Sequence, residues 1–579
     1  MIRRSSLAIA LAAICGSATA AARSAQPLPP EIPWTPVTTL SVPRGWETPI
    51  ELSGFEQSPN YADTVAFLHR LDHHSPIVSI RSFGTSTQGQ DLVYAKVSKG
   101  GRKRPVVLIQ GGIHAGEIDG KDAGMMLLRD IVAGARSDLI DEVDIVFVPV
   151  LNADAHENAS DDGRPTQRGP LAKGARTNSQ GLDLNRDYAR LESAEISAVV
   201  KLLQQYDPEL YVDVHVSDGT DYQYDITYAF AGWGTYARSR QTAEWLMGPY
   251  SRDLQASLTA AGHVPGIYPS WVDENAPSQG LRIAMEAPRY STGYGDFIGV
   301  PTVLVETHTF KPYRQRVLGT YALLVQSLRS VARDADRIAA AKKADRSERA
   351  PSLAVAWERD PVPLEVRPFQ GYRYETYESA ASGARELKWT GKPVQVQMPV
   401  YGTRVTQTAA IPQAWWIPIG NDRIVELLKS HGVTFERIVQ PKRVTLEQRY
   451  MATGQSRETV HSAQEETLMP TGSIRVSANQ PLRLLAAALL EPSSQDSVLA
   501  MGWFDRSLPS ESSLPRHVLA PMADAMMESD VSARRAFEQA LAADESFAAD
   551  PMARLRWWEA RSPYQRRAWW RYPILVERR

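Results

Sequence analysis

The stretch that most constrains the fold is Pro105-Val-Val-Leu-Ile-Gln-Gly-Gly-Ile-His114-Ala-Gly-Glu117, continued by the apolar positions between Met125 and Ile131. A short apolar run from Val106 to Ile109 predicts a buried strand. Two glycines then allow a sharp turn, and the spacing from Met125 onward predicts a helix. A strand, a tight loop and a helix in this order build an open α/β sheet, in which ligand sites gather at the carboxyl ends of the strands. The loop presents an imidazole, His114, and a carboxylate, Glu117, three positions apart. Both groups are good zinc donors.

The same strand signature recurs. Val143 to Val150 reads as another buried strand, Leu210-Tyr-Val-Asp-Val-His215-Val is a strand ending in a histidine, and Thr302-Val-Leu-Val-Glu306-Thr-His308 is one ending in a glutamate. Helical spacing separates these runs at Ile196–Leu203 and follows them from Tyr313 to Ala341. Strands alternating with helices predict a mainly parallel sheet with helices on both faces. If the sheet gathers its strand ends, two imidazoles and a carboxylate hold a metal with one position open, and a second carboxylate stands beside it as a base. That is the equipment of a metallohydrolase.

The rest of the sequence narrows the classes. A net charge of −2 over 579 residues, with 22% charged residues, gives no electrostatic basis for binding nucleic acid. The sole cysteine, Cys15, lies in Met1–Ala20, where Arg3-Arg4, a short apolar stretch and small residues form a secretory signal pattern. The apolar stretch is too short to span a bilayer and no later one is longer. The mature chain is expected to be periplasmic or secreted, without a membrane span and without cysteine, so that a metal site must use His and carboxylates. The i, i+4 pair His69/His73 lacks accompanying carboxylates and is expected to be solvated.

Four further matches point to a family. Leu182-Asp183-Leu-Asn185-Arg186 follows the His-x-x-Glu pair, His215 and Glu306 follow in order, and Gly84-Thr-Ser-Thr-Gln-Gly-Gln-Asp-Leu precedes them. In these features the chain from about Tyr61 to Leu328 resembles the zinc carboxypeptidases of the carboxypeptidase A family. The resemblance implies one zinc ion per chain on His114, Glu117 and His215, with Glu306 transferring protons. It implies that Asn185 and Arg186 hold the terminal carboxylate of a peptide substrate and that Asp183 orients His114. It also implies an oxyanion arginine, for which Arg176 is preferred and Arg168 and Arg164 are rivals, and a tyrosine closing over substrate, Tyr290 or Tyr294, with Tyr290 preferred. His308 and His156 are expected to be structural. Physical chemistry agrees with these roles: a guanidinium grips a carboxylate bidentately, and a carboxylate behind a ligating imidazole fixes its tautomer.

The implied fold is α/β, a mainly parallel, mixed eight-stranded sheet flanked by helices, with a smaller C-terminal α+β domain. The expected layout is a signal peptide at 1–22, an irregular lead-in at 23–47, the catalytic domain at 48–345, a charged, proline-terminated linker at 346–360 and the C-terminal domain at 361–579. One departure matters. Where the family often has Asn-Arg-Asn-Trp, this chain has Asn185-Arg186-Asp187-Tyr188, placing an acid beside the anchor. Asp187 and the export signal motivate an alternative reading, an amidase on peptidoglycan stem peptides or other acylated amines. An inactive binding module is the other alternative. The C-terminal tryptophan pairs are expected to pack rather than to bind, and neither side-chain specificity nor oligomeric state is indicated by the sequence.

Overall fold

The computed structural model describes residues 28–37, 42–452, 459–504, 514–562 and 569–578. The signal peptide expected at 1–22 lies outside the described residues, as does part of the lead-in.

Among the described residues, nine strands build the first half: β1 (Val78–Thr85), β2 (Asp91–Val97), β3 (Val106–Gln110), β4 (Asp144–Val148), β5 (Leu210–Val216), β6 (Ile226–Ala229), β7 (Pro265–Ile267), β8 (Leu281–Arg282) and β9 (Thr302–Thr307). All but β8 join an eight-stranded sheet in the order β1-β2-β4-β3-β5-β9-β6-β7. The central pairs β4/β3, β3/β5 and β5/β9 are parallel. β1/β2, β2/β4 and β6/β9 are antiparallel, so the sheet is mixed, as expected. β3 and β5 are buried along their whole length because helices cover both faces, and they are apolar apart from Gln110, Asp213 and His215.

Period-2 alternation sorts the strand residues between those faces. Val107, Ile109, Val212, Val214, Val303 and Val305 pack with α1 (Tyr61–His74), α2 (Asp119–Val132), α4 (Ser251–Ala260) and α6 (Tyr313–Ser347). The glycines of α2 bring it close: a Cβ on Gly124 would lie 2.2 Å from the Phe147 ring, and one on Gly120 2.7 Å from Val214. On the other face, Leu108, Val146 and Tyr211 pack with α3 (Ala194–Tyr206) and α5 (Ser291–Ile298). Because β3, β5 and β9 run in parallel, the residues following them emerge along one edge, and this gathers the predicted site.

The stretch 346–360, expected as a linker, is regular structure. α6 continues to Ser347 because its last turns are anchored: Lys342 donates to the carbonyls of Asp207 and Pro208, and both terminal nitrogens of Arg346 reach the Asp207 carboxylate. Pro351 is then followed at once by β10 (Ser352–Glu378), which pairs with β11 (Arg385–Ala410) in a long hairpin whose second strand adds in parallel to β8.

The remaining chain is rich in sheet, with helices around it. β12 (Ala414–Ile417), β13 (Glu436–Arg437), β14 (Lys442–Ala452), β15 (Thr459–Met469), β16 (Ile474–Ser477), β17 (Trp569–Arg571) and β18 (Leu575–Glu577) form one sheet in the described residues. α7 (Asp422–Ser430) and α8 (Arg483–Leu490) pack with it, and helices between Arg516 and Glu559 close over a small core of their own. Trp415 and Trp416 are buried on opposite faces of β12, donating to the carboxylates of Glu491 and Glu577. The apolar cluster holding α3 and α5 against the first sheet also contains Trp415, Ile424 and Leu485, so the two halves share a core. Among the described residues, no helix is long and apolar enough to cross a membrane.

Candidate metal and active site

The loop between β3 and α2 brings His114 and Glu117 inward, and β5 delivers His215. Their donor atoms all lie within 4.8 Å of one another, and all three residues are buried. The Nδ1 atoms of both imidazoles face one carboxylate: His114 lies 2.9 Å from Glu117 Oε1 and His215 2.9 Å from Glu117 Oε2. The Val216 amide also donates to Oε2, at 3.1 Å. The far side of each ring is backed by an acid. His114 Nε2 is 3.1 Å from Asp183 Oδ1, and His215 Nε2 is 2.8 Å from Asp213 Oδ2.

Charge in this cluster is held by pairing. Burial raises the Glu117 carboxyl, but His114 and Arg164 outweigh it and hold the group well below the usual range. Burial likewise disfavours charge on His215, yet Asp213 and Glu117 drive its imidazole well above its ordinary value. A converging set of two imidazoles and one carboxylate fits a zinc ion, and three protein ligands are the pattern of a catalytic rather than a structural site.

Glu306 stands next to His215 across the β5/β9 pair. It is only 8% exposed, and its Oε2 has no hydrogen-bond partner among the described residues. Burial pushes its carboxyl up to about 8, with His215 opposing and Glu117 adding to the rise. A carboxyl near neutrality that aims an unengaged oxygen beside the donor set has the properties of a proton carrier.

The three candidate arginines separate. Arg164 lies against the donor set, its Nη1 donating to Glu117 Oε1 at 2.6 Å and its Nη2 lying 3.3 Å from Asp218. Gly116 makes room for it, since a Cβ there would fall 2.6 Å from Arg164 Cδ. Arg176 donates from Nε to Asp183 Oδ2 at 3.0 Å, with its side chain 40% exposed. Arg168 is turned away: it donates to the carbonyls of Phe310 and Pro29 and to the Glu31 carboxylate, pinning the lead-in. Burial raises Asp183, but His114 and the arginines outweigh it, so that it stays a carboxylate.

Asn185 accepts from the Ser291 amide at 2.9 Å, tying its loop to the start of α5. Arg186 is exposed, and its guanidinium lies 4.6 Å over the Tyr290 ring. Tyr290 is half-buried, whereas Tyr294 is buried and joined to His431 Nδ1 at 3.0 Å, which commits it to the core. Asp187, expected to add a charge beside the anchor, instead turns inward. It accepts from the amides of Glu192 and Ser193 and from the Ser193 hydroxyl, and burial raises its pKa. It braces the approach to α3, and the short side chain of Ser193 explains why the chain can bend back to it.

His308 is enclosed, 4.3 Å from the Tyr222 ring, and His156 is enclosed between Lys121 and the carbonyls of Ala115 and Pro59. His69 and His73 are exposed. Sequence reasoning passed over Asp213. Its signal was legible as the one acid inside an apolar strand, two positions before a histidine and therefore on the same face.

Residues 64–268 match the family model described as zinc carboxypeptidase. The chain is 26% identical over 133 residues to carboxypeptidase B of Astacus astacus, covering 22% of this chain and 44% of that protein. It is 26% identical over 183 residues to carboxypeptidase D of Homo sapiens, covering 28% of this chain and 13% of that protein. The chain thus spans less than half the length of these curated relatives. Similar solved structures include a metallo-carboxypeptidase from Burkholderia cenocepacia, at 18% identity and a TM-score of 0.36, covering 47% of this chain and 69% of that one. Another is the metallo-carboxypeptidase from Pseudomonas aeruginosa, at 17% identity and a TM-score of 0.35, covering 48% and 69%.

Proposed function

We propose, from the premise that residues 64–268 form a zinc carboxypeptidase domain, that this chain is an exported metallocarboxypeptidase that hydrolyses the C-terminal peptide bond of peptides. The observation that carries the reading is the convergence of His114, Glu117 and His215 beside an unengaged Glu306 oxygen. The export part rests on the signal pattern in Met1–Ala20.

His114, Glu117 and His215 would hold the zinc, a Lewis acid that acidifies water and polarises a carbonyl when bound. The remaining work falls to the side chains. Glu306 accepts the proton of the attacking water and passes it to the departing amide nitrogen, so that a carboxylate and a free amine leave. Asn185 and Arg186 grip the substrate's terminal carboxylate, with Tyr290 stacked on the guanidinium to hold its plane. Arg176, which among the described residues is engaged only through Nε, offers its terminal nitrogens to the oxyanion that develops on the scissile carbonyl.

The test is metal content beside activity. The mature chain and its Glu306→Gln variant are purified, bound zinc is quantified, and both are given a mixed peptide library read by mass spectrometry. Both are expected to hold about one zinc per chain, and only the parent to shorten peptides from the C-terminus. Cleavage confined to C-terminally amidated or acyl-amine substrates would replace the carboxypeptidase reading with an amidase.

A further inference from the structure

We infer that Asp213 is a positioning residue that fixes His215 as a metal ligand, and that Gln110 holds Asp213 in turn. The inference rests on the metal-site reading above and adds to it two residues of neighbouring strands.

Asp213 is 0% exposed at the centre of the sheet, a position that packing alone fills with an apolar side chain. A carboxylate buried there is costly unless it is paired. Its pairing is specific: Oδ2 accepts from His215 Nε2 at 2.8 Å and Oδ1 from Gln110 Nε2 at 2.9 Å. Gln110 is itself buried, sits opposite Asp213 in the β3/β5 register and approaches the Tyr188 hydroxyl at 3.3 Å. Tyr188 lies just beyond Arg186 and is 2.6 Å from the Tyr211 hydroxyl. A run of buried side chains therefore leads from His215 to the segment carrying Asn185 and Arg186.

The chemistry follows from the geometry. With Nε2–H donated to Asp213, Nδ1 is the ring nitrogen left to give up its proton and offer a lone pair, and it is the atom that faces Glu117. His114 is arranged the same way on Asp183. The two acids differ in how their charge is shared. Asp183 is 22% exposed and also serves Arg176, while Asp213 is enclosed, with one imidazole and the neutral side chains of Gln110 and Ser291 beside it. Its charge therefore acts on His215 undiluted by solvent or by a second cation.

Asp213→Asn isolates this effect. The amide oxygen of the substituted side chain can still accept from His215. Gln110, whose Oε1 has no partner among the described residues, can turn its own amide to accept from the new amide nitrogen. The hydrogen bonds survive and the charge is lost. Zinc dissociation constants are measured for the full chain and its variants by competition with a chromophoric chelator, alongside apo melting curves and the visible spectra of the cobalt(II)-loaded proteins. Asp213→Asn is expected to weaken zinc binding by about 10- to 100-fold and to shift the cobalt bands, with the apo melting temperature near that of the parent. Unchanged zinc affinity and cobalt spectrum in the folded variant would overturn the inference and leave a merely structural pair. Should Asp213→Asn fail to fold, Gln110→Met carries the same test with an expected loss of about three- to tenfold, and unchanged affinity there overturns it equally. A parent chain that binds no zinc would instead sink the metal-site reading itself.

Discussion

Glu306 and His215 occupy paired positions on adjacent parallel strands, their side chains on the same face of the sheet. The proposed proton carrier and the proposed metal ligand are thereby held by backbone pairing rather than by loops, within the buried sheet. What varies around them is the set of arginines, and these divide by what each touches.

Arg176→Met is expected to lower kcat by about 10²- to 10³-fold, the cost of removing a donor to a developing oxyanion, with zinc retained. Arg164→Met is expected to change zinc affinity first, because its guanidinium shares Glu117 Oε1 with the donor set. Arg168→Met is expected to leave both unchanged, its partners being the lead-in and Phe310. Steady-state kinetics with bound-zinc determination on the three variants checks the division. An Arg168→Met enzyme crippled in kcat would invalidate it.

Gly116→Ala should destabilise the fold by about 1–3 kcal/mol, the usual cost of overpacking. The added Cβ meets Arg164 Cδ and the Gly174 carbonyl oxygen, each at 2.6 Å, and the latter is backbone that cannot rotate away. Urea denaturation gives the stability difference, and the idea fails if the midpoint does not move.

Acid should weaken the fold between the ordinary histidine value of 6.5 and about 4. Burial holds His431 down to about 4, and burial with Lys121 nearby holds His156 down to about 3. In that window the unfolded chain binds protons that the native imidazoles refuse, so stability is fully present above pH 6.5 and is lost as pH falls through the native values. His431 faces the Tyr294 hydroxyl and the Ala189 carbonyl, partners that Gln can also satisfy. His431→Gln should therefore flatten the pH dependence of the urea midpoint, and an unchanged slope would count against the assignment.

Much of the site was legible because its residues sit at the ends of apolar runs, where a histidine or glutamate stands out. Strand order was less so. Nothing local says that β5 lies between β3 and β9, since those pairings join residues about a hundred positions apart. The arginines could not be ranked because the loop from Asp161 to Gly181 has no periodicity, and only the fold shows Arg168 engaged by Glu31. Asp187 misled for a related reason. Its neighbours in sequence are the proposed anchors Asn185 and Arg186, but its hydrogen bonds run forward to Ser193. The charged stretch at 346–360 resembled a break because its composition does not reveal that Asp207, far upstream, neutralises Lys342 and Arg346.

The apolar cluster shared between the first sheet and the C-terminal sheet has a consequence for how the molecule is inherited and lost. Tyr188, Val199 and Tyr294 on one side, and Trp415, Ile424 and Leu485 on the other, shield each other from water. Each half covers apolar surface of the other, so removing the C-terminal portion would expose apolar core rather than release a tethered accessory. α5 packs within this cluster, so the loop that Asn185 ties to its start leans on amino acids more than a hundred positions away.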